Sequence, residues 1–185
     1  MPMTNSPKIE TERLLLRAIC LKDAADVFKY RSDKITNKYQ GWVPEKIEDV
    51  NEFIENRVSF RINVPDTWFQ FVIIDKESKN LLGDLGIHFL GADNEQAELG
   101  CTLDKQQQGR GYATEALRAS IRYLFRDLNK HRIVTSIDPR NKASVSLVER
   151  LGFRKEAHFR KSIFIDEEWV DDLVYAMLNE DWQSD

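Results

Sequence analysis

Cysteine, histidine and long apolar runs are scarce in this chain of 185 residues. Its two cysteines, Cys20 and Cys101, form no Cys-x-x-Cys pair, and its three histidines are scattered. This pattern predicts two free thiols in a reducing compartment, with no disulfide framework and no metal site. No segment approaches the roughly 18 consecutive apolar residues that span a bilayer, and the N-terminus lacks a basic region followed by an apolar run. We therefore expect a cytoplasmic protein that does not associate with membranes.

The chain also lacks an excess of basic residues. Its 27 lysines and arginines are outnumbered by 31 aspartates and glutamates, which gives a net charge of −4 and an isoelectric point near 5.5. A nucleic-acid-binding protein normally carries a basic surface that neutralises phosphates, so we expect no nucleic-acid binding, whereas a cationic partner suits this charge. The apolar share of 42% and a length that buries roughly 70% of the unfolded surface predict one globular domain over residues 1–185.

The spacing of apolar residues predicts a mixed α/β protein. Short β-branched or aromatic segments indicate strands, and apolar residues three and four positions apart indicate helices. The predicted order is β-α-α-β-β-β-α-β-α-β-β, with strands at 11–17, 68–75, 81–90, 97–103 and 132–137 and two within 153–178, and helices at 23–32, from 44 to before 65, at 111–128 and after Asn141. The three central strands are joined by short polar turns and form a predicted antiparallel meander.

Two glycines lie where a predicted strand gives way to the longest predicted helix, in the pattern Gln106-x-x-Gly109-x-Gly111. Glycine lets the backbone approach a ligand closely, and the first turn of a helix presents free N–H groups, so this segment predicts a pyrophosphate site. Neither common phosphate loop fits, because no Lys-Ser or Lys-Thr pair follows Gly111 and Thr114 stands where a dinucleotide fingerprint needs glycine or alanine. An ordinary strand-to-helix turn is the alternative interpretation.

Several segments resemble the GNAT superfamily of N-acetyltransferases. The glycine pattern matches the superfamily signature, Gln/Arg-x-x-Gly-x-Gly/Ala, and Asn141-x-x-Ser144 resembles its later signature. The segments 11–17 and 169–171 resemble the branch that contains the ribosomal-protein N-terminal acetyltransferases. The resemblance covers residues 9–182 and implies a mixed, mostly antiparallel central sheet flanked by helices, an α+β arrangement.

The same resemblance implies an activity. The chain would transfer an acetyl group from acetyl-CoA to a primary amine by direct attack in a ternary complex. The acceptor would be a protein N-terminus or a small-molecule amine such as a polyamine, an aminoglycoside or an amino acid. A non-catalytic acyl-CoA-binding or interaction module with the same fold is the alternative. Homodimers are common in this branch, so a homodimer is a further expectation.

The resemblance also implies which residues hold the acetyl-CoA. Backbone N–H groups from 108 to 113 would bind the pyrophosphate, and the strand that ends at Leu103 would splay from its neighbour and pair with the pantetheine amides. Asn141 matches the position that contacts the pantetheine arm, and it can cap the following helix at the same time. The predicted cofactor-binding residues are Leu103, Gln108, Gly109, Arg110, Gly111, Tyr112, Ala113, Thr114 and Asn141.

Two residues are candidates for the catalytic groups. Glu98 places a carboxylate on the strand that leads to the thioester and is the candidate base, against the alternative of a solvent-facing strand glutamate. Ser144 is the candidate for orienting or protonating the leaving thiolate, against a surface serine on a helix. Some N-terminal acetyltransferases of the superfamily carry a tyrosine acid where this chain has Val148 and a glutamate where it has Ser136. Those two roles do not transfer to this chain, so the acid and the base stay open.

Three other features have competing interpretations. Trp68, Phe69 and Phe71 build the core, which is the favoured interpretation, or cover a substrate cleft. The acidic cluster between residues 166 and 172 forms a solvated turn, again favoured, or attracts a cationic acceptor. Cys101 is a buried, unreactive thiol or, less favoured, the nucleophile of an acyl-enzyme.

Overall fold

The computed structural model describes residues 6–165 and 167–182. Its strands form one eight-stranded sheet in the order β1-β2-β3-β4-β5-β6-β8-β7, and of the pairings between these described strands the β5–β6 pairing alone is parallel. The elements are β1 (Lys8–Glu10), β2 (Leu14–Ala18), α1 (Ala24–Arg31), α2 (Ile47–Glu52), β3 (Trp68–Asp75), β4 (Leu81–Leu90), β5 (Gln96–Leu103), α3 (Tyr112–Arg122), β6 (Arg132–Ile137), α4 (Lys142–Arg150), β7 (Arg154–Ile165) and β8 (Glu168–Leu178).

The predicted order is confirmed, with one additional strand at the start. The segment predicted as a strand over 11–17 contains a turn followed by β2. The backbone N–H of Thr11 donates to the carbonyl of Leu14 (2.9 Å), and the N–H of Leu14 donates to the Thr11 hydroxyl (2.9 Å). This reciprocal pair reverses the chain, so the residues before it return as β1 along the edge of β2.

The helices cover both faces of the sheet. The apolar stripe predicted on the longest helix, α3, faces the sheet, and the helix continues past Arg122 in a π-helical turn to Asp127. One core lies between the sheet and the side of α3 and α4, and a smaller core lies under α1 and α2. Members of the first core include Phe69, Phe71, Leu85, Ile87, Leu99, Leu117, Ile121, Leu124 and Val148, and members of the second include Val27, Tyr30, Val50, Ile54 and Val72.

The second predicted helix is shorter than expected. It begins at Ile47 rather than at Pro44, and its regular turns end at Glu52. The Asp49 carboxylate accepts the N–H groups of Glu45 (2.9 Å) and Lys46 (3.0 Å), which fixes where the helix starts. A π-helical turn over Phe53–Arg57 then closes it. Because α2 packs across β3 through Val50, it forms a wall above that face of the sheet.

Candidate active site

The parallel strands β5 and β6 separate part-way along their length. They pair at Gln96 with Arg132, at Ala97 with Ile133 and at Glu98 with Val134, and no further pairing joins them within the described residues. Residues 99–103 stay paired with β4 on their other side. The edge of β5 that faces β6 therefore carries backbone N–H and C=O groups open to a ligand, which is the splay that the resemblance implied.

The free edge of β5 leads to the glycine turn. Asp104 accepts the N–H of Gln106 (2.9 Å) and starts a short 3₁₀ turn after β5. Gly109 has φ +76° and Gly111 has φ +81°, a left-handed conformation that favours glycine, and α3 begins at the next residue. The N–H groups at the start of α3 have no acceptors within the helix, so the turn presents an anion site at the end of the open edge.

A hydrogen bond between Gln108 and Leu103 connects the glycine turn to the end of β5. The side-chain amide of Gln108 donates to the carbonyl of Leu103 (3.2 Å), and the Gln108 N–H donates to the carbonyl of Lys105 (3.3 Å). Leu103 itself is buried in the core. Of the predicted pyrophosphate donors, the Gln108 N–H is thus already used within the turn.

Arg13 is a component of this site that sequence reasoning did not single out. Its guanidinium pairs with Glu115 at 2.6 Å, donates to the carbonyl of Arg110 (3.1 Å) and lies over the ring of Tyr112 at 4.5 Å. Burial opposes ionisation of Glu115, but hydrogen bonds from Thr11 and Arg13 outweigh it and lower the pKa of that carboxyl. Arg13 therefore connects the N-terminal strands to the glycine turn, and Glu115 balances its positive charge.

The gap between the separated strands holds a cavity of about 110 Å³, which we call the channel. The channel is lined by residues 99–101 of β5, by Thr135 to Asp138 at the end of β6, and by Asn141 and Ser144. The side-chain oxygen of Asn141 accepts the N–H of Ser144 (3.1 Å), so Asn141 caps α4 as predicted. The structure therefore brings both candidate residues to one wall of the channel.

Glu98 lies where the strands begin to separate, on the opposite face of the sheet from the α3 core. Its side chain is 28% exposed, and its Oε2 lies 3.7 Å from Nδ1 of His88. Burial raises the pKa of Glu98, His88 lowers it, and the negative charge of Asp172 raises it, with a net increase above the ordinary value. The His88 ring stacks on Trp68, with 4.7 Å between ring centroids, and this contact holds it beside the carboxylate.

A larger cavity of about 700 Å³, which we call the cleft, opens on the face that carries Glu98. The stacked rings of Trp42 and Phe53, 4.5 Å apart, form one wall, and Trp68 forms another. Of the aromatic residues singled out from the sequence, Phe69 and Phe71 are core residues as favoured, whereas Trp68 is 37% exposed and lines the cleft. The remaining lining residues are Arg31, Gln40, Gly41, Asp49, Glu52, Arg57, Gln70, Gly86, Gly100 and Thr102.

A buried ionic network forms the floor of the cleft. The Asp84 carboxylate accepts hydrogen bonds from Arg31 (2.8 and 2.5 Å), from the Gln70 amide (2.6 Å) and from the Tyr30 hydroxyl. The side chains of Asp84 and Arg31 are 2% and 11% exposed. Because every charge in the network is paired, the network orders the cleft without leaving a free charge in it.

The comparisons with known proteins agree with this geometry. Residues 13–154 match the family described as Acetyltransferase (GNAT) domain. This chain belongs to the GNAT acetyltransferase family. Its activity class is N-acetyltransferase, and enzymes of this family use acetyl-CoA.

Individual relatives extend the GNAT match over nearly the whole chain. The chain is 32% identical over 177 residues to an uncharacterized N-acetyltransferase, YnaD, of Bacillus subtilis, covering 94% of this chain and 98% of the relative. It is 28% identical over 188 residues to the [ribosomal protein uS5]-alanine N-acetyltransferase of Escherichia coli, covering 97% and 95%. The crystal structure of a GNAT-family acetyltransferase from Bacillus anthracis superposes with a TM-score of 0.83 at 30% identity, covering 94% and 99%. The expected GNAT fold is confirmed.

Val148 and Ser136, the positions where some superfamily members carry catalytic groups, make structural contacts in this GNAT enzyme. Val148 is 7% exposed and packs in the first core. The hydroxyl of Ser136 donates to Asp172 (2.7 Å) on β8. Neither side chain supplies an acid or a base, so Glu98 and Ser144 remain the candidates that the geometry offers.

Most described carboxylates of the acidic cluster have cationic or hydrogen-bonding partners. Glu168 pairs with Arg140 (3.0 Å), Asp171 contacts His158 (2.7 Å), and Asp172 accepts from Ser136. Asp166 lies outside the described residues. These three residues lie on β8 and not in a solvated turn, and their contacts favour a structural role over an acceptor site.

Cys101 lines the channel, and burial raises the pKa of its thiol to about 12. A thiol protonated at neutral pH is a poor nucleophile, which favours direct transfer over an acyl-enzyme. In the part of the chain that the structure describes, no three histidine, cysteine, aspartate or glutamate side chains are grouped as metal ligands. No helix among the described residues is long and apolar enough to cross a membrane.

Proposed function

We propose that this GNAT enzyme transfers the acetyl group of acetyl-CoA directly to a primary amine that enters through the cleft. The observation that carries the proposal is the separation of β5 from β6 after Glu98, because it opens a backbone edge between the glycine turn and the cleft. An extended chain of amides can pair with such an edge, as an added strand would. The site thus has room for a pantetheine arm beside a place for an acceptor.

The acetyl-CoA would be held at three places. The pyrophosphate would bind the N–H groups at the start of α3, beside the guanidinium of Arg13. The pantetheine amides would pair with residues 99–103 of β5. Asn141 uses its side-chain oxygen in the helix cap, so its NH₂ group would be the part that donates to a pantetheine carbonyl.

The transfer itself needs one base and one proton donor. The acceptor nitrogen attacks the thioester carbon, the bond between that carbon and sulfur breaks, and the nitrogen loses a proton. Glu98 would take that proton, directly or through one water, because its raised pKa brings it nearer to neutral pH. The hydroxyl of Ser144, on the channel wall, would protonate the leaving thiolate and recover a proton from solvent.

The charge of the cleft favours an acceptor that carries a single positive charge, that of its own amino group. Its charged lining residues are two arginines and two carboxylates, and the Asp49 carboxylate already accepts two backbone N–H groups. Because Asp84 neutralises Arg31, Arg57 and the two carboxylates leave one net negative charge, which matches one ammonium group better than a polycation. We propose a protein N-terminus, the kind of acceptor that the name of the Escherichia coli relative gives, or a small monoamine.

The alternative function is a non-catalytic acyl-CoA-binding or interaction module. It is motivated by Val148 and Ser136, which stand where other members carry catalytic groups. Glu98 argues against it, since a partly buried carboxylate with a raised pKa, placed where β5 and β6 separate, suits a base and is not needed for binding alone.

Calorimetric titration with acetyl-CoA, followed by a thiol-release assay, tests the proposal. The assay uses one pool of peptides with different N-terminal residues and one pool of small amines that includes spermidine. We expect binding, and thiol release that depends on one pool. Binding without release in either pool would favour the non-catalytic module. Intact-mass analysis of the enzyme with acetyl-CoA alone should reveal no acetylated protein, because an adduct would indicate an acyl-enzyme.

A further inference from the structure

The channel and the cleft open toward opposite faces of the sheet, and they share two lining residues. Gly100 of β5 and Gln40, in the loop between α1 and α2, line both cavities. Gly100 is the second residue after Glu98, where β5 has already lost its pairing with β6. The two cavities therefore approach each other at this one place on the strand.

The fold gives no reason for a glycine at position 100. Its φ is not in the left-handed range, and a Cβ built on it would have no atom within 4 Å. Glycine within a strand is less stable than alanine, because it loses more backbone freedom on folding. Gly86, its direct partner on β4, is different, because a Cβ there would lie 2.9 Å from the Gln70 side chain and 3.2 Å from the Trp68 ring. Packing accounts for Gly86 but not for Gly100.

We propose that Gly100 is a window that sets which acceptors reach the thioester, by leaving open the space between the cleft and the channel. Residues 98, 100 and 102 share one face of β5, so a side chain at 100 would project beside Glu98 toward the cleft. The acceptor would have to move the substituent on its α-carbon, the carbon bonded to the amine, past position 100. Gln40 lies on the other side of this passage. This inference rests on the proposed function and deepens it, because it assigns selection among acceptors to one residue.

Gly100→Ala and Gly100→Val test the window. The probes are three tetrapeptides that differ only in an N-terminal glycine, alanine or valine, together with ethylamine and isopropylamine. A single methyl group in a tight site changes kcat/KM by about 10-fold or more. If the enzyme accepts peptides, we expect Gly100→Ala to lower kcat/KM at least about tenfold for the alanine and valine peptides and less for the glycine peptide. If it accepts small amines, we expect the same loss for isopropylamine and a smaller one for ethylamine. Gly100→Val should affect every probe.

Two further readouts separate the window from a general defect. The acetyl-CoA Kd of both variants should stay within about threefold of wild type, since the added side chain projects toward the cleft. The urea midpoint of Gly100→Ala should not fall, because a Cβ at 100 meets no atom within 4 Å. Gln96→Val, on the same strand and face but at the far end, is the matched control and should keep wild-type kinetics.

The outcomes distinguish the window from the underlying function. Equal loss across all probes with Gly100→Ala, or kinetics unchanged in both variants, would overturn the window while leaving the transferase assignment in place. A parallel loss of acetyl-CoA affinity would overturn it as well, because the added side chain would then act on the bound cofactor and not on the acceptor. If the wild-type enzyme acetylated none of these probes and neither pool above, the proposed function would fail with it.

Discussion

At the residue scale, the proposed role of Glu98 as the base depends on how its carboxylate is held. Its carboxylate is partly removed from water and has His88 at 3.7 Å, and burial outweighs the histidine so that its pKa is raised. A base works only when it is ionised, so turnover should rise with pH through the pKa of Glu98. His88 is fixed by its stacking on Trp68, so the distance between the two groups is set by the packing of the cleft wall.

Replacing Glu98 with glutamine removes the base and keeps the shape. We expect kcat to fall by about 10² to 10⁴. The rise of activity with pH should move upward, because the variant depends on amine that has already lost its proton in solution. A pH profile of kcat/KM measures this, with Glu77→Gln, in an exposed turn, as the control. An unaltered profile in Glu98→Gln would remove this residue from the mechanism.

At the element scale, the turn between β5 and α3 is where sequence and structure agree most closely. The pattern of Gln106, Gly109 and Gly111 predicted a ligand-facing turn. The prediction was possible because both glycines have a positive φ, a local property that favours glycine and so is visible in the sequence. The start of α4 agrees for the same reason, since the Asn141 cap is a local hydrogen bond. Arg13 was missed because its contact with Glu115 joins elements 102 positions apart in the chain.

The glycine turn gives a test that leaves the core intact. Gly109 is exposed, and a Cβ there would meet no atom within 4 Å, but a valine would be strained at φ +76°. We expect Gly109→Val to remain folded, at a cost of about 1–3 kcal/mol, and to lose most of its acetyl-CoA affinity because the N–H groups shift. Calorimetry measures the affinity and urea unfolding the stability. Unchanged affinity in a folded variant would contradict the assignment of this turn to the pyrophosphate.

At the scale of the whole molecule, the cleft could not be predicted from the sequence. Its walls come from Trp42, Phe53 and Trp68, on three segments that meet only when α1 and α2 fold over the sheet. The mixed sheet and most element bounds followed from local periodicity, whereas the short β1 did not, because it pairs through a turn at Thr11 that has no strong strand pattern. Local patterns thus predicted the glycine turn and the Asn141 cap, whereas the cleft depends on tertiary packing.

The separation of β5 and β6 also bears on stability, because among the described residues three pairs join the two parts of the sheet directly. A ligand seated between β5 and α4 would add contacts across this junction in the folded state alone. At a free acetyl-CoA concentration of 100 times Kd, linkage predicts a gain of about 2.7 kcal/mol in the free energy of unfolding. For a chain of this size, that gain raises the melting temperature by roughly 5–11 °C.

Differential scanning calorimetry with and without acetyl-CoA measures this shift, and the same measurement on Gly109→Val is its control. We expect the shift in the wild-type enzyme to follow the logarithm of ligand concentration and to be largely absent in the variant. A wild-type melting temperature independent of acetyl-CoA would mean that the junction does not hold the ligand. An equal rise in melting temperature in both proteins would mean that acetyl-CoA binds away from the glycine turn. The valine at position 109 would then leave the affinity for acetyl-CoA unchanged.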